Sequence, residues 1–525
     1  MMADIYRSAK RVITYVGGPT PDIPKGIDLA TKLIQLAKQR RGQPVNPIMY
    51  TRNPQSFGLP GFEDSSWDVL REFQSKPWCT RMWIVQESLL NDNICMQWGE
   101  STFGWDFFDE FFREVVQPTA YPQSSGLSPT DPKNGGNATQ MFLVRDAFHR
   151  QGIKSFPMAV LLDLCRDLNC TDDKDRVFAL MSLCNDSLKP TVDYTKDTRQ
   201  VYIDAAVCML LHHPGVLCSA GARKTIKHLP TWVPDWTVPA AQIPVLKCRG
   251  FQAGGPLQRW FTTIRGCNAS AGTLKLSGLI CGRVDHMTEK LQLVFTTARM
   301  ARSRWARDQF MRLLKLGYYP GTRESYLDAL WRTLICDLNI EHREAGKFRS
   351  MKPASPTLAH DFEAWVRPDP EAAKREANDW IAVRSGTGRM EPPDVDQVVY
   401  DAWYSEQNMS KADCGSRYPS NVFGSIQGNS PAGDSLGWPY RDAILRAGNL
   451  YRHLCTTEKG YIGVVPNETR VGDLLLFLPG AEVPFLLREM GVDSHYFLIG
   501  DCYIHGLMNG EALSNGDGRW EELTL

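Results

Sequence analysis

The 525-residue sequence has no net charge and no long apolar run. Lys plus Arg and Asp plus Glu both number 59, so no overall electrostatic attraction to nucleic acid or to an anionic membrane is predicted. A basic run at 298–307 is more typical of a solvated helix face than of a nucleic-acid patch. The longest apolar runs, at 205–211 and 474–478, are far shorter than the ~20 residues of a membrane-spanning helix. We therefore expect no nucleic-acid partner and no membrane span.

Motifs that bind metals or nucleotides are also missing. The 14 cysteines are scattered and no C-x-x-C occurs, so neither a zinc ribbon nor a thioredoxin-like site is supported. The chain has no P-loop, no G-x-G-x-x-G after a strand and no H-E-x-x-H, and the kinase, Rossmann and zincin classes lose their main support. We expect buried free thiols in a reducing compartment, the cytosol or the nucleus, with no metal and no bound cofactor.

Residues 1–110 alternate between strand and helix patterns. Arg11–Val16 is β-branched and almost continuously apolar, as is typical of a strand buried on both faces. Ile27–Lys38 carries a helical apolar stripe, and Asn93–Trp98 is a second strand, ended by a glycine. Strand–helix alternation indicates an α/β fold with a parallel sheet, where functional residues gather at the carboxyl ends of the strands.

The segment Trp78–Leu90 has a helical period that places Trp83 and Glu87, four residues apart, on one face. An indole beside a carboxylate desolvates the acid and raises its pKa, as a catalytic carboxyl requires. In the structural alternative, Trp83 is a core residue and Glu87 pairs with a base such as Arg81. Spacing alone leaves both interpretations open.

The remainder of the chain divides into three further segments. Residues 111–240 are mainly helical and include a breaker-rich linker at 118–136, whereas 241–453 mix strands and helices and include a flexible insertion at 385–436. Residues 454–525 form a small β-barrel-like unit. Its four predicted strands are Gly460–Val465, Leu474–Leu478, Pro484–Arg488 and Tyr496–Cys502.

Cys502, His505 and Glu511 in this last unit have the residue types of a nucleophile, a base and an orienting acid. Cys502 and His505 are three residues apart near a strand end, and in a strand they would face opposite sides. A structural role is therefore favoured for all three residues.

Several blocks resemble, in order, the fungal heterokaryon-incompatibility (HET) domain family. Its W-x-x-R-x-W-x-x-Q-E pattern is matched by Trp78, Arg81, Trp83, Gln86 and Glu87, and its L-P-S-W-V-P-D-W pattern almost letter for letter by 229–236. The blocks that carry the resemblance are Met2–Ala9 with the strand after it, Pro77–Glu87, Thr171–Leu180, Asp193–Tyr202, Leu229–Trp236, and 457–511 near the end.

Two blocks of the family are not found in this sequence. Such proteins usually begin with a strand similar to Y-x-x-L-S-Y-x-W-G, followed by W-x-D-x-x-C-I-N-Q. On this comparison, residues 1–110 are a partial HET core whose sheet is incomplete at its amino-terminal end, and 111–240 are the remainder of the HET region.

HET domains are similar to TIR domains, which have a flavodoxin-like parallel sheet. A W-x-x-x-E helix in TIR domains supplies a glutamate for NAD hydrolysis, and Trp83 and Glu87 match its spacing. The resemblance thus implies a non-self recognition effector that triggers programmed cell death, with Glu87 catalytic, Trp83 supporting it and NAD as substrate. The alternative is a non-enzymatic interaction module or an inactive relative. The partner would be a recognition protein or a second copy of the chain.

The other matched residues are expected to have structural roles. Asp175 and Arg176 are predicted to form ion pairs with Arg81 or Glu87 across the domain. Trp232, Asp235 and Trp236 belong to a rigid Trp-Pro turn that closes one end of the domain. Trp78, Arg81 and Gln86 complete the set of structural motif residues.

Overall fold

The computed structural model describes sixteen stretches and single positions of the chain. The predicted linker at 118–136, the predicted insertion at 385–436 and most of the basic run at 298–307 lie outside them. The described residues are 2–39, 54–116, 144–145, 148–149, 156–239, 250–291, 305, 309, 313, 318–322, 324–337, 354–359, 362, 452–491, 494–516 and 518–525.

The first part of the chain is a small α/β layer. It consists of a three-stranded sheet flanked by helices, and a short π-helical turn at Phe112–Val116 follows the last helix. Its elements are α1 (Met2–Ser8), β1 (Val12–Gly17), α2 (Ile23–Gln39), α3 (Ser65–Ser75), α4 (Pro77–Thr80), α5 (Ile84–Leu89), β2 (Ile94–Trp98), β3 (Ser101–Gly104) and α6 (Trp105–Phe111).

The sheet confirms the alternating α/β pattern but differs from the expected sheet in two ways. β1 and β2 are parallel, whereas β3, which the sequence does not predict, pairs antiparallel with β2. The prediction that the first strand is buried on both faces is wrong, because Ile13 and Tyr15 are 66% and 62% exposed. Only Val12, Thr14 and Val16 face the core, so the apolar run concealed a strand with one covered face.

Helices dominate the middle of the chain. The helix Thr198–Leu210 is buried along most of its length, and Asp197 caps its first turn by accepting the Gln200 N–H. The helices are α7 (Met158–Leu164), α8 (Asp175–Phe178), α9 (Thr198–Leu210) and, after the first two strands of the second sheet, α10 (Tyr326–Leu334).

In the described part of the chain, a second sheet has nine strands. The four strands predicted after residue 454 are present, each within about two residues of its predicted bounds. The elements of this unit are β4 (Ile264–Asn268), β5 (Thr273–Lys290), β6 (Arg452–Thr457), β7 (Ile462–Pro466), β8 (Leu474–Phe477), β9 (Phe485–Glu489), β10 (Tyr496–Asp501), β11 (Tyr503–Ile504), α11 (Glu511–Asn515) and β12 (Arg519–Thr524).

The long strand β5 joins this unit together. It pairs with β4, β6, β8 and β12, and β10, β9, β7 and β11 extend the sheet on either side. The predicted separation of 241–453 from 454–525 therefore does not match the sheet, since β4, β5 and the start of β6 lie before residue 454. Sequence-local periodicity could not show that β5 pairs with strands almost 200 residues away.

A buried ion pair lies at the first residue of β6. The Arg452 guanidinium donates to the Asp501 carbonyl at 2.7 Å and also pairs with the Asp501 carboxylate, and both side chains are at most 3% exposed. Two charges buried this deeply stabilise the fold only while both are present, because either one alone is an uncompensated charge in the interior.

We expect Asp501→Ala to lower the free energy of unfolding by about 3–5 kcal/mol, because it leaves the Arg452 charge buried without its carboxylate. Urea unfolding at neutral pH measures the change. The matched control is Glu489→Ala, which removes a surface pair with Arg283 at 3.0 Å and is expected to cost at most about 1 kcal/mol. Equal losses in the two variants would contradict the role given to the buried pair.

Candidate functional site

The segment Pro77–Leu89 consists of two short helices rather than the continuous helix suggested by its period. Arg81 has an extended backbone between α4 and α5 and forms an isolated parallel bridge with Asn169. The Met82 N–H donates to the Asn169 carbonyl at 2.8 Å, and the Asn169 N–H donates back to the Thr80 carbonyl at 2.5 Å. These long-range hydrogen bonds interrupt the helix, which local periodicity could not predict.

This break lets the segment contribute to two hydrophobic cores. Trp78 and Ile84 pack in the core beneath the three-stranded sheet. Met82, Val85 and Leu89 pack in the larger core formed by the helical middle region and the second sheet. The segment therefore fastens the small sheet to the rest of the molecule.

Glu87 lies on the side of α5 that meets the small sheet. Its Oε1 accepts a hydrogen bond from Thr14 Oγ1 at 2.6 Å and another from Trp78 Nε1 at 3.0 Å. Its Oε2 accepts none from the described residues, and no described Lys, Arg or His forms an ion pair with it. The structural alternative of a Glu87–Arg81 pair is therefore wrong.

Trp83 has a different partner from the one expected. Its indole N–H donates to Asp175 Oδ2 at 3.1 Å, and Tyr194 donates to the other oxygen of Asp175 at 2.6 Å. Burial, and then the hydrogen bond to Asp175, raise the pKa of Tyr194. The indole that donates a hydrogen bond to Glu87 is that of Trp78, whereas the W-x-x-x-E spacing pointed to Trp83.

The predicted ion pairs of Asp175 and Arg176 with Arg81 or Glu87 are absent from the described residues. Asp175 binds Trp83 and Tyr194, as above. The Arg176 guanidinium donates to the carbonyls of Arg166 and Leu168, both at 2.9 Å. Arg176 therefore holds the chain after α7 in place.

Gln86 is a third residue of this segment that anchors it to the helical middle region. Its side chain is 2% exposed, and its amide donates to the Ala179 carbonyl at 2.6 Å. Together with the bonds of Trp83 and Met82, this bond ties α5 to the loop and helix at 169–179. The hydrogen bonds that Trp83 and Gln86 donate are thus structural, whereas Glu87 Oε2 accepts no hydrogen bond from the described residues.

Asp235 is the centre of a buried turn. One of its oxygens accepts the N–H groups of Thr225 and Ile226, at 2.7 and 3.0 Å. The other accepts the Thr237 N–H at 3.0 Å and the Thr237 hydroxyl at 2.5 Å. Burial alone would raise the pKa of Asp235, but these hydrogen bonds, led by that of the Thr237 hydroxyl, lower it below its usual value.

Trp232 and Trp236 flank this turn and are fully buried. The Trp232 indole donates to the Gly272 carbonyl at 2.9 Å, and the Trp236 ring packs edge-on against Tyr202 with the ring centres 4.8 Å apart. Both rings are enclosed by protein, and neither is open to a ligand.

His505 belongs to a buried cluster that does not include Cys502 as a partner. Its Nε2 lies 2.7 Å from Glu324 Oε1 and its Nδ1 lies 2.8 Å from the Tyr503 hydroxyl. Burial raises the pKa of the Cys502 thiol, which opposes formation of the reactive thiolate. Glu511 accepts the backbone N–H of Asn509. The cluster joins the loop before α10 to the second sheet.

The sequence analysis did not predict Thr14 or Glu324 as a hydrogen-bond partner of a candidate site residue. Thr14 is the one polar residue among the inward-facing positions of β1, and that signal could have identified it as the partner of a buried polar group. Glu324 lies 181 residues from His505 and gave no local signal. Among the described residues, no three His, Cys, Asp or Glu side chains are arranged to hold a metal ion.

Comparison with known proteins is informative at both ends of the chain. Residues 1–87 match the family model of the heterokaryon incompatibility protein (HET), and residues 439–521 match that of the Het-6 beta-barrel domain. Residues 1–87 are thus similar to a HET domain, and residues 439–521 are similar to a Het-6 β-barrel domain. The HET match includes Trp78–Glu87, and the barrel match includes β6–β11.

A relative supports the same assignment over nearly the whole length. The chain is 20% identical to heterokaryon incompatibility protein 6, OR allele, of Neurospora crassa, in an alignment that covers 97% of this chain and 78% of the relative. No solved structure matches it significantly. Heterokaryon incompatibility is the function that these matches support. In the described part of the chain, no helix is both long and apolar enough to cross a membrane.

We expect Asp235→Asn to lower the free energy of unfolding at pH 7 by about 2 kcal/mol or more, because its amide faces donors that need an acceptor. Folding lowers the pKa of Asp235. The ionised carboxylate therefore makes its full contribution to the free energy of unfolding above the unfolded-state pKa, and this contribution is lost as the pH falls through the folded-state pKa.

The difference in the free energy of unfolding between Asp235→Asn and the unmodified chain should therefore become smaller below about pH 4. Urea unfolding at pH 7 and in acid measures it. Asp193→Asn, at an exposed turn where the carboxylate accepts from Thr195, is the control and should show no comparable loss. A pH-independent difference for Asp235→Asn would contradict this account.

Proposed function

We propose that this chain is a HET-type effector of fungal non-self recognition whose TIR-like α/β domain hydrolyses NAD through Glu87 and so causes programmed cell death. The support is the environment of Glu87. One carboxylate oxygen is fixed by Thr14 and Trp78, while the other has no partner among the described residues. A carboxylate that is held in place without a neighbouring cation keeps its negative charge available for a substrate.

The parallel β1–β2 pair, connected through helices, is the part of the architecture that favours the TIR-like proposal. Glu87 donates no proton in the proposed reaction. Its free Oε2 would accept hydrogen bonds from the hydroxyls of the nicotinamide ribose, and its charge would stabilise the positive charge that develops at C1′. Thr14 and Trp78 would hold the carboxylate in one orientation, which reduces reorganisation in the transition state.

The proposed bond changes balance without a further reactant. The bond between C1′ and the nicotinamide nitrogen breaks, and its electron pair neutralises the positively charged nicotinamide ring. Water then forms a bond to C1′ and releases a proton to solvent. The products are nicotinamide and ADP-ribose.

We expect Glu87→Gln to reduce the kcat of NAD hydrolysis by about 100-fold or more, because it removes the charge that stabilises the transition state. Release of nicotinamide by the purified full chain measures the rate. Expression of both forms in a fungal host should show cell death that depends on Glu87.

The matched control is Glu110→Gln, a carboxylate on α6 that pairs with Lys38 at the surface. Its kcat for NAD hydrolysis should stay within about twofold of that of the unmodified chain, since a surface ion pair contributes little to stability. Thermal unfolding of both variants establishes that they are folded. Equal turnover by Glu87→Gln and the unmodified chain would refute the enzymatic proposal.

A non-enzymatic interaction module is the second candidate, and the exposed face of β1 favours it. Ile13 and Tyr15 project from a sheet face that the described residues leave uncovered. Absence of NAD turnover in the unmodified full chain, together with cell death that persists in Glu87→Gln, would favour this candidate. The partner would then be a recognition protein or a second copy of the chain.

A further inference from the structure

A cavity lies between the small sheet and three of the helices that cover it. Its volume is about 360 Å³, part of it open to solvent, and its walls come from α2, α3, α6, β2 and β3. Every described side chain in these walls is aliphatic or aromatic. Ile27, Phe103 and Phe107 are half-buried, so they lie nearest the opening, whereas the other lining residues are buried. Such walls offer water almost no hydrogen bonds, so the cavity suits an apolar molecule.

Trp98 supplies the only polar side-chain group among the described residues of these walls. Trp98 is 2% exposed, and its indole N–H has no acceptor among the described residues. The ring of Phe73 lies 5.4 Å from the indole, centre to centre, and the Lys76 ammonium lies 5.1 Å from the indole centre. These contacts hold the indole in place. A buried donor without an acceptor is unfavourable, and a ligand that accepts from it would remove that cost.

We propose that this cavity binds a small uncharged molecule that has an apolar body and one acceptor oxygen, such as a cyclic or aliphatic ketone. The ketone oxygen accepts the Trp98 N–H. The apolar body packs against the aromatic wall, where the rings of Phe103 and Phe107 lie edge-on with their centres 5.6 Å apart.

The same walls disfavour other ligand classes. A carboxylate or a phosphate would be buried without a partner, because no charged residue is among the described lining residues. An alcohol fits less well than a ketone, because its hydroxyl hydrogen would find no acceptor in the cavity. The walls contain no residue of α1 or β1, so the proposal does not depend on what adjoins the first strand.

Two probes of equal size and shape test the hydrogen bond. Cyclohexanone and methylenecyclohexane share a ring and differ in that the ketone oxygen takes the place of a CH₂ group. Both should bind saturably to the purified full chain, as measured by ligand-observed NMR. The Trp98 indole resonance, identified as the one missing from Trp98→Phe, should move downfield with cyclohexanone and far less with methylenecyclohexane.

Trp98→Phe keeps an aromatic ring and removes the donor. The Kd of methylenecyclohexane divided by that of cyclohexanone should fall about 5- to 10-fold in this variant, as for the loss of one hydrogen bond. Both probes lose the same apolar contacts when the indole is replaced. The ratio therefore separates the hydrogen bond from the change in the shape of the cavity.

Ala30→Leu tests the location, because Ala30 is buried in the wall and a larger side chain fills the space. The Kd of both probes should rise at least about tenfold, and the thermal unfolding temperature should not fall, since filling a cavity is commonly stabilising. The matched control is Ala37→Leu, on the same helix but outside the described cavity walls, which should leave both Kd values unchanged. Should Ala30→Leu fail to fold, Ile27→Phe, at the opening, is the second blocking variant.

The absence of saturable binding of both probes would overturn the proposal, as would unchanged Kd values in the folded blocking variant. A preference for cyclohexanone that persists in Trp98→Phe would also overturn it, because the acceptor oxygen would then bind elsewhere. The proposal is independent of NAD hydrolysis, since neither Glu87 nor the residues that donate to it line the cavity.

Discussion

The segment Pro77–Leu89 packs into two hydrophobic cores at once, and this double attachment joins the small sheet to the rest of the molecule. Trp78 and Ile84 anchor it beneath the small sheet, and Met82, Val85 and Leu89 anchor it in the larger core. A continuous helix would present a single apolar stripe, whereas the extended Arg81 lets the two halves face different directions. The bridge to Asn169 compensates for the helical hydrogen bonds lost at this break.

As a result, Trp83 and Gln86 have a different role from Glu87. The Trp83 indole N–H donates to Asp175 and the Gln86 amide N–H donates to the Ala179 carbonyl, so both residues position the helix. Glu87 is then held against the sheet with one oxygen fixed and the other without a described partner. A carboxylate in this setting can serve a substrate because its neighbours, rather than an ion pair, determine its position.

Local patterns in the sequence were sufficient to predict the α/β pattern of the first 110 residues and the last strands, and the resemblance of its motif blocks indicated the family. It could not predict contacts that depend on distant segments. The pairing of β5 with β8, the Arg81–Asn169 bridge and the Glu324–His505 contact all join residues that are far apart in sequence. For Glu87, spacing identified the carboxylate but pointed to Trp83, four residues away, whereas the indole that donates to it belongs to Trp78, nine residues away. The apolar run of β1 likewise gave no sign that one face is uncovered.

The central claim is that the segment Pro77–Leu89 fastens two cores through side-chain bonds such as Trp83–Asp175. A double-mutant cycle tests it most directly, with Trp83→Phe, Asp175→Asn and the combined variant compared by the free energy of unfolding. We predict a coupling energy of about 1–2 kcal/mol, as for a hydrogen bond to a charged group. A coupling energy near zero, with the single losses simply adding, would contradict it.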